Sequence, residues 1–318
     1  MKILMISTDQ KIFEPGSAVK ARMSNYASQV DELFIVILGL VRDLRVEGKL
    51  QYISLARLKA LFWKPEKDFD LVTSQDPFET GIIAWRLACQ LGAKLELQIH
   101  TDIGSPYFWR ESLKNKIRFF LAKFLLPKAD KVRVVSQRIK DYLVSNSEIA
   151  EDKIYIKPIF VDTEKIRNAP ITVDLHKKYP QFDKIILMAS RLTKEKNIGL
   201  AIEAMREMVK QKPKIGLIIV GSGPEESSLK LKVKSYKVEN NVIFENWIDQ
   251  TTLFSYYKTA NLFLNTSLYE GYGMTLVEAQ AAGCKIVSTD VGVAKEVGAK
   301  IAGQDGFSIA KSLIELPK

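Results

Sequence analysis

Short β-branched apolar runs alternate with amphipathic stretches along most of the chain. In the first half the runs fall at 2–7, 33–38, 51–55, 70–73, 94–99, 131–135 and 153–157, and each predicts a buried strand. Between them a 3.6-residue period predicts helices over 17–29, 78–91, 112–126 and 137–145. The alternation pauses between about 160 and 183, where Pro158, Pro170 and Pro180 punctuate a stretch with little apolar period. It then resumes with strands at 184–189, 215–220, 242–247, 261–266 and 285–289, and helices over 197–210, 225–236, 250–259, 273–282 and 307–315.

Strand, helix, strand in repetition gives a parallel sheet covered by helices on both faces. The expected class is therefore α/β, with two tandem doubly wound, Rossmann-like domains: residues 1–165, a linker over 166–183, and residues 184–318. Ligands of such sheets bind at the carboxyl ends of the strands, where helix N-termini gather. Two of these edges facing each other across a cleft would suit a diphosphate, because unpaired amides and helix dipoles favour negative charge.

At 318 residues and 47% hydrophobic composition the chain can bury two cores. Its two cysteines, Cys89 and Cys284, exclude a disulfide framework or a zinc knuckle and make a reducing compartment, the cytoplasm, the expected location. The apolar run at Met1–Ser7 is too short and too soon followed by polar residues for a signal peptide, and no run approaches a membrane span. The net charge of +10 divides into +6 over residues 1–170 and +4 over the rest, so it is not an appended basic tail. No nucleic-acid module signature accompanies it, and nucleic acid is not an expected partner.

Three segments of the second half carry chemistry. In Tyr269-Glu-Gly-Tyr-Gly-Met-Thr-Leu-Val-Glu278, Glu270 lies on the loop after a strand and Glu278 lies in the helix that follows. Gly271 and Gly273 between them leave the first helical amides bare to a ligand. Glu195 and Glu203 have the same spacing without a glycine loop, and that pair is taken as incidental. Arg191 and Lys196 stand in Ala189-Ser-Arg-Leu-Thr-Lys-Glu-Lys-Asn197, at the carboxyl end of the strand that opens the second domain. Arg can bind phosphate bidentately and Lys as a point charge; the bland alternative is a solvated basic loop capped by Asn197. Gly221 and Gly223 form a strand-to-helix turn before Pro224, which alone implies only a tight turn.

In this order and spacing the three segments resemble the family-4 retaining glycosyltransferases of GT-B fold over most of 184–298. The first half matches more loosely, at the Gly16 loop, Gln75-Asp76-Pro77, His100 and Val135-Ser136. The resemblance implies a nucleoside diphosphate sugar as donor. Arg191 and Lys196 would hold the diphosphate and stabilise its growing charge, and Glu278 would take the ribose hydroxyls. Glu270 would contact the donor sugar, and the amides around Gly273, Met274 and Thr275 the sugar or phosphate. Gly16, Gly221 and Gly223 would let backbone approach the donor, and His100 would hydrogen-bond the sugar from the first domain. It further implies retention at the anomeric carbon, no metal and no cofactor, and a sugar or lipid-linked acceptor. Two departures stand out: Gly16 is single where relatives carry a glycine pair, and the chain stops at Lys318, where relatives continue with further helices. The competing functions are a nucleotide-sugar epimerase and a non-catalytic nucleotide-sugar-binding remnant. A dinucleotide dehydrogenase fits poorly, since the first strand–helix turn has one glycine.

Residues 108–140 hold ten Lys or Arg and two acids. On the helix over 112–126, Leu113, Ile117, Phe120, Leu121 and Phe124 share a stripe that is expected to pack inward. Phe119 falls nearly opposite. This places Phe119, with Trp109, Lys114, Lys116, Arg118 and Lys123, on a face expected to meet an anionic membrane surface, and makes the chain peripheral at the inner face of the membrane.

Overall fold

A computed structural model describes residues 1–316, which divide into two units, 1–158 and 159–316. The first unit runs β1 (Lys2–Ser7), α1 (Ala18–Ser28), β2 (Glu32–Leu38), β3 (Arg42–Glu47), β4 (Leu50–Leu55), α2 (Arg57–Phe62), β5 (Leu71–Ser74), α3 (Glu79–Leu91), β6 (Lys94–Ile99), α4 (Pro106–Glu111), α5 (Leu113–Leu125), β7 (Lys131–Val134), α6 (Gln137–Asn146) and β8 (Ile154–Ile156). Its eight strands lie in the order β3-β4-β2-β1-β5-β6-β7-β8, with only β3 antiparallel to its neighbour. The strand order reverses between β1 and β5, so the crevice of this sheet opens between the loops that follow them.

The second unit runs α7 (Thr163–Asn168), α8 (Leu175–Lys178), β9 (Lys184–Ala189), α9 (Ile198–Val209), β10 (Ile215–Val220), α10 (Glu226–Ser235), β11 (Val242–Glu245), α11 (Gln250–Thr259), β12 (Leu262–Asn265), α12 (Met274–Ala281), β13 (Ile286–Ser288), β14 (Lys300–Ile301) and α13 (Gly306–Glu315). Its wholly parallel sheet has the order β11-β10-β9-β12-β13-β14. The reversal here falls between β9 and β12. Apolar runs such as Ile215–Val220, buried at every position, are the signature of strands covered on both faces.

Four departures from the sequence expectations have physical causes. The segment 166–183, expected as a linker, packs onto the second unit: Ile166, Leu175 and Phe182 are buried among Phe254, Tyr257 and Phe263. Thr172 N donates to Ser255 Oγ at 2.9 Å, and Lys258 Nζ donates to the Arg167 and Ala169 carbonyls. Its apolar residues are too widely spaced to show a period, yet Ile166, Leu175 and Phe182 each fill a place in the core. The strand β3, RDLRVE, is exposed at all six positions; it is a charged edge strand, which protects the sheet from pairing with other chains and hides it from a hydrophobic pattern. The helix α3 starts at Glu79, one residue after the expected 78; Asp76 Oδ1 accepts from Phe78 N at 2.8 Å in a turn ahead of the helix.

The fourth departure is the orientation of α5. Ala122 and Leu125 are fully buried, whereas Leu113, Ile117, Phe120 and Phe124 are each more than half exposed. The inward face of this helix carries Arg118, Ala122 and Leu125 in place of the apolar stripe. Gly81 on α3 leaves room for the Leu125 side chain: a Cβ there would lie 3.0 Å from Leu125 Cδ1. Arg118 fixes the rotation, pairing with Glu79 at 3.0 Å while its guanidinium lies 5.3 Å from the Phe78 ring. Phe119, expected to point outward, is half-buried, its ring tilted against Trp109 at 6.4 Å and edge-on to Phe120 at 5.7 Å.

Candidate functional site

The two loops at the reversal of the second sheet carry most of the residues singled out by sequence. The loop after β9 brings Arg191 and Lys196; the loop after β12 brings Glu270, Gly271 and Gly273 and leads into α12 with Met274, Thr275 and Glu278. Three contacts hold the loops together. Thr266 Oγ1 lies 3.1 Å from the Lys196 carbonyl and 3.0 Å from that of Asn197. Leu268 N donates to the Glu195 carbonyl at 2.8 Å. Lys196 Nζ donates to Glu270 Oε1, in an ion pair whose side chains are 16% and 14% exposed. Ser267 Oγ stands 2.8 Å from the same carboxylate oxygen and 2.7 Å from Asn265 Oδ1, so its one proton serves either.

Gly273 is the N-cap of α12 with φ +91°, a left-handed conformation that an L side chain adopts only with strain, and a Cβ there would meet Leu276 at 2.8 Å. Glu278 is buried one turn further on, where Tyr257 OH, itself fully buried, donates to its Oε2 at 3.0 Å. Burial raises the Glu278 carboxyl above its ordinary value, and the Tyr257 hydrogen bond offsets only part of that. Arg191, by contrast, is exposed and paired with Glu195 at 3.1 Å.

The helix N-termini of this sheet divide into two kinds. On the flanks, α11 is capped by Asp249 and α13 by Asp305, each side chain accepting a first-turn amide. At the centre, α9, α10 and α12, which follow β9, β10 and β12, have no side-chain cap. Asn197 occupies the N-cap position of α9 with φ +48°, but its side chain does not cap, contrary to the capping role considered from sequence. Carboxylate caps are thus missing from the helices that follow three adjacent strands, the arrangement that leaves first-turn amides to an anion.

Gly221 and Gly223 are required by packing. Gly221 has φ +138°, and a Cβ there would lie 2.0 Å from the Ser190 carbonyl oxygen; one on Gly223 would lie 2.4 Å from that of Leu192. The glycine turn therefore lies against the Arg191 loop and sets its position. Ser190 Oγ and Thr193 Oγ1, which flank Arg191 and Leu192, are buried without a hydrogen-bond partner. Sequence gave no signal for these two, nor for Tyr257 and Ser267, because isolated hydroxyls occur throughout the chain.

In the first unit, Gly16 sits exposed on the loop after β1 with φ +73°, two residues before α1. Ser7 Oγ donates to Gln75 Oε1 at 2.7 Å, joining the ends of β1 and β5 at the reversal of this sheet. His100 follows β6 and lies 3.2 Å from Gln98 Oε1, which also accepts from Arg133 Nη1 at 3.2 Å. Burial, and then the charges of Arg133 and Arg22, lower its imidazole to about 4, so it is neutral at physiological pH. Among the described residues no three His, Cys, Asp or Glu side chains form a metal-binding group, and no helix is long and apolar enough to cross a membrane.

Comparison with known proteins places both units. The family described as Glycosyl transferases group 1 matches residues 175–315, and that described as Glycosyltransferase Family 4 matches residues 24–165. An alpha-monoglucosyldiacylglycerol synthase of Streptococcus pneumoniae is 26% identical over 72% of this chain and 54% of its own length. A Campylobacter jejuni enzyme, N-acetylgalactosamine-N,N'-diacetylbacillosaminyl-diphospho-undecaprenol 4-alpha-N-acetylgalactosaminyltransferase, is 28% identical over 70% of this chain and 58% of its own. The chain thus spans little more than half the length of these relatives. Among solved structures, sucrose-phosphate synthase of Thermosynechococcus elongatus has a TM-score of 0.77 at 18% identity, covering 99% of this chain and 89% of that one. HepE of Anabaena, crystallised with UDP and glucose, has a TM-score of 0.72 at 17% identity, covering 99% and 90%. The fold is therefore GT-B, with two Rossmann-like domains, and the chain belongs to the group 1, family-4 glycosyltransferases.

Proposed function

We propose that the chain transfers a hexosyl group from a nucleoside diphosphate sugar to a sugar or lipid-linked acceptor, with retention at the anomeric carbon and without a metal ion. The observation that carries this reading is the set of uncapped helix N-termini following the adjacent strands β10, β9 and β12, with Lys196 on the loop after β9. Such a point holds a pyrophosphate by amides and a cation, the work that magnesium performs in other phosphate sites. The relatives support both classes: HepE was crystallised with UDP, a donor nucleotide, and the Campylobacter jejuni enzyme by its name acts on a diphospho-undecaprenol-linked sugar as acceptor.

In this mechanism the pyrophosphate competes with Glu270 for the Lys196 ammonium. Glu270, freed from Lys196 but still bonded by Ser267, is left to accept hydrogen bonds from the sugar hydroxyls. Arg191, exposed on its loop, leaves Glu195 to join the phosphate. Glu278 accepts hydrogen bonds from the ribose while Tyr257 holds its other side. As the bond between the anomeric carbon and the phosphate oxygen breaks, negative charge grows on the phosphate and is stabilised by Lys196 and the α12 amides. The acceptor hydroxyl attacks the same face and passes its proton to the departing phosphate. His100, neutral by virtue of its burial, can donate or accept a hydrogen bond without adding charge.

The test is incubation with UDP-, GDP- and ADP-hexoses in EDTA, with glycosyl and lipid-linked acceptors, and proton NMR of the product anomer. Transfer with an unchanged anomeric configuration supports the reading. An isomerised donor without transfer would replace it by an epimerase.

A further inference from the structure

The surface that the outward turn of α5 creates is not used by the donor site. Leu113, Ile117, Phe120 and Phe124 are 74, 53, 59 and 51% exposed. At about 100° per residue they fall on one line along the helix, spanning about 17 Å. Cations flank that line on both sides: Lys114 on one, Lys116 and Lys123 on the other. Lys128 extends the row, with its ammonium 4.3 Å from the Phe124 ring and 5.5 Å from that of Trp85. Its alkyl stem lies along apolar surface while its charge stays at the edge, the posture of a side chain at a water–lipid boundary. Tyr107, 40% exposed on α4, stands at the other end. Within 107–128 there are six Lys or Arg and one acid, and one of the six, Arg118, is turned inward to Glu79.

We propose that this face of α5 seats on an anionic lipid bilayer, the aromatic and aliphatic stripe entering the acyl boundary and the flanking lysines meeting lipid phosphates. The face is the reverse of the one expected from sequence: Phe119 and Arg118 anchor the helix to the protein, and Ile117, Phe120 and Phe124 meet the lipid. Charge complementarity selects this occupant. A second copy would set the same lysines against each other, and a strip of this length and one helix width is far short of the about 800 Å² per partner that a stable protein interface buries. An apolar stripe between two rows of cations matches the layered polarity of a bilayer surface. The inference concerns where the enzyme works and stands apart from the donor-site reading.

The full chain is sedimented with vesicles of phosphatidylcholine alone and of phosphatidylcholine with phosphatidylglycerol, at low and high salt. Binding is expected to the anionic vesicles and to weaken with salt. Ile117→Glu/Phe120→Glu and Lys116→Glu/Lys123→Glu are each expected to lower the partition coefficient about tenfold or more. Leu231→Glu, at an apolar position 67% exposed in the second unit, is expected to leave it unchanged. All four substituted residues of the stripe are exposed or flank it, and circular dichroism with thermal melting reports that the variants are folded. No binding to anionic vesicles, equal binding to neutral ones, or wild-type binding by Ile117→Glu/Phe120→Glu would overturn the proposal. So would a concentration-dependent dimer that this variant abolishes, which would assign the face to a second copy.

Discussion

Replacing Lys196 by alanine separates the two roles its ammonium could have, counter-ion to Glu270 and ligand to phosphate. Breaking a fully buried pair by removing one partner costs about 3–5 kcal/mol, and an exposed pair contributes about 0–1. With the side chains 16% and 14% exposed, and with Ser267 Oγ still 2.8 Å from the carboxylate, the cost falls between the two ranges and nearer the buried one, about 2–3 kcal/mol. For a unit of this size that lowers the melting temperature by about 5–10 °C. Loss of a charged hydrogen bond to phosphate weakens nucleotide binding by about 1.5–3 kcal/mol, roughly 10- to 150-fold in Kd. The double variant Lys196→Ala/Glu270→Ala removes both charges and should regain most of the lost stability, to within about 1 kcal/mol of the parent. It should not regain donor affinity. Urea denaturation and calorimetric titration with UDP, GDP and ADP read the two quantities on the same three proteins. Parent-like nucleotide affinity in the double variant would refute the reasoning, since Lys196 would then act only as the partner of Glu270.

Two further outcomes follow from the buried ionisable groups. Glu278 has its carboxyl raised by burial, so its contribution to stability is full below its ordinary value of 4.5 and is lost as pH rises through the raised one. Glu278→Gln should therefore gain stability relative to the parent as pH climbs from about 4.5 to neutrality, while binding the donor nucleotide about tenfold more weakly; denaturation curves that stay parallel across that range would show that the carboxyl is not perturbed. His100, lowered to about 4, binds its proton in the unfolded chain before it does so in the folded one. Its stabilising effect is present above about 6.5 and is lost as pH falls from there to about 4, by up to about 3 kcal/mol. His100→Asn should flatten that acid loss, and an imidazole NMR resonance of the parent titrating near 6.5 rather than 4 would contradict it.

Much of the second unit could be read from its sequence because its central strands are mostly apolar runs and its loops carry glycines past strand ends. The strand at Lys184–Ala189 and the helix at Gln250–Thr259 stand where the hydrophobic period put them. The residues gathered at the reversal of this sheet, among them Lys196, Glu270 and Gly273, were legible for the same reason: each lies just past a strand end. What stayed hidden depends on neighbours distant in sequence. The strand β3 is too charged to show a hydrophobic period, and 166–183 looks like a linker until Phe254 and Tyr257 are seen to cover it. The face of α5 was misread because amphipathicity reports which side is apolar, not which side is covered. Gly81 and Glu79, some 40 residues earlier, decide that. The absence of caps on α9, α10 and α12 is likewise clear only beside the capped α11 and α13.

The most direct measurement is the structure of the chain with a nucleoside diphosphate, grown in EDTA. The account predicts the pyrophosphate within hydrogen-bond distance of Lys196 Nζ and the first amides of α12, with the ribose at Glu278. A pyrophosphate lodged elsewhere, or one that appears only when magnesium is supplied, would contradict it.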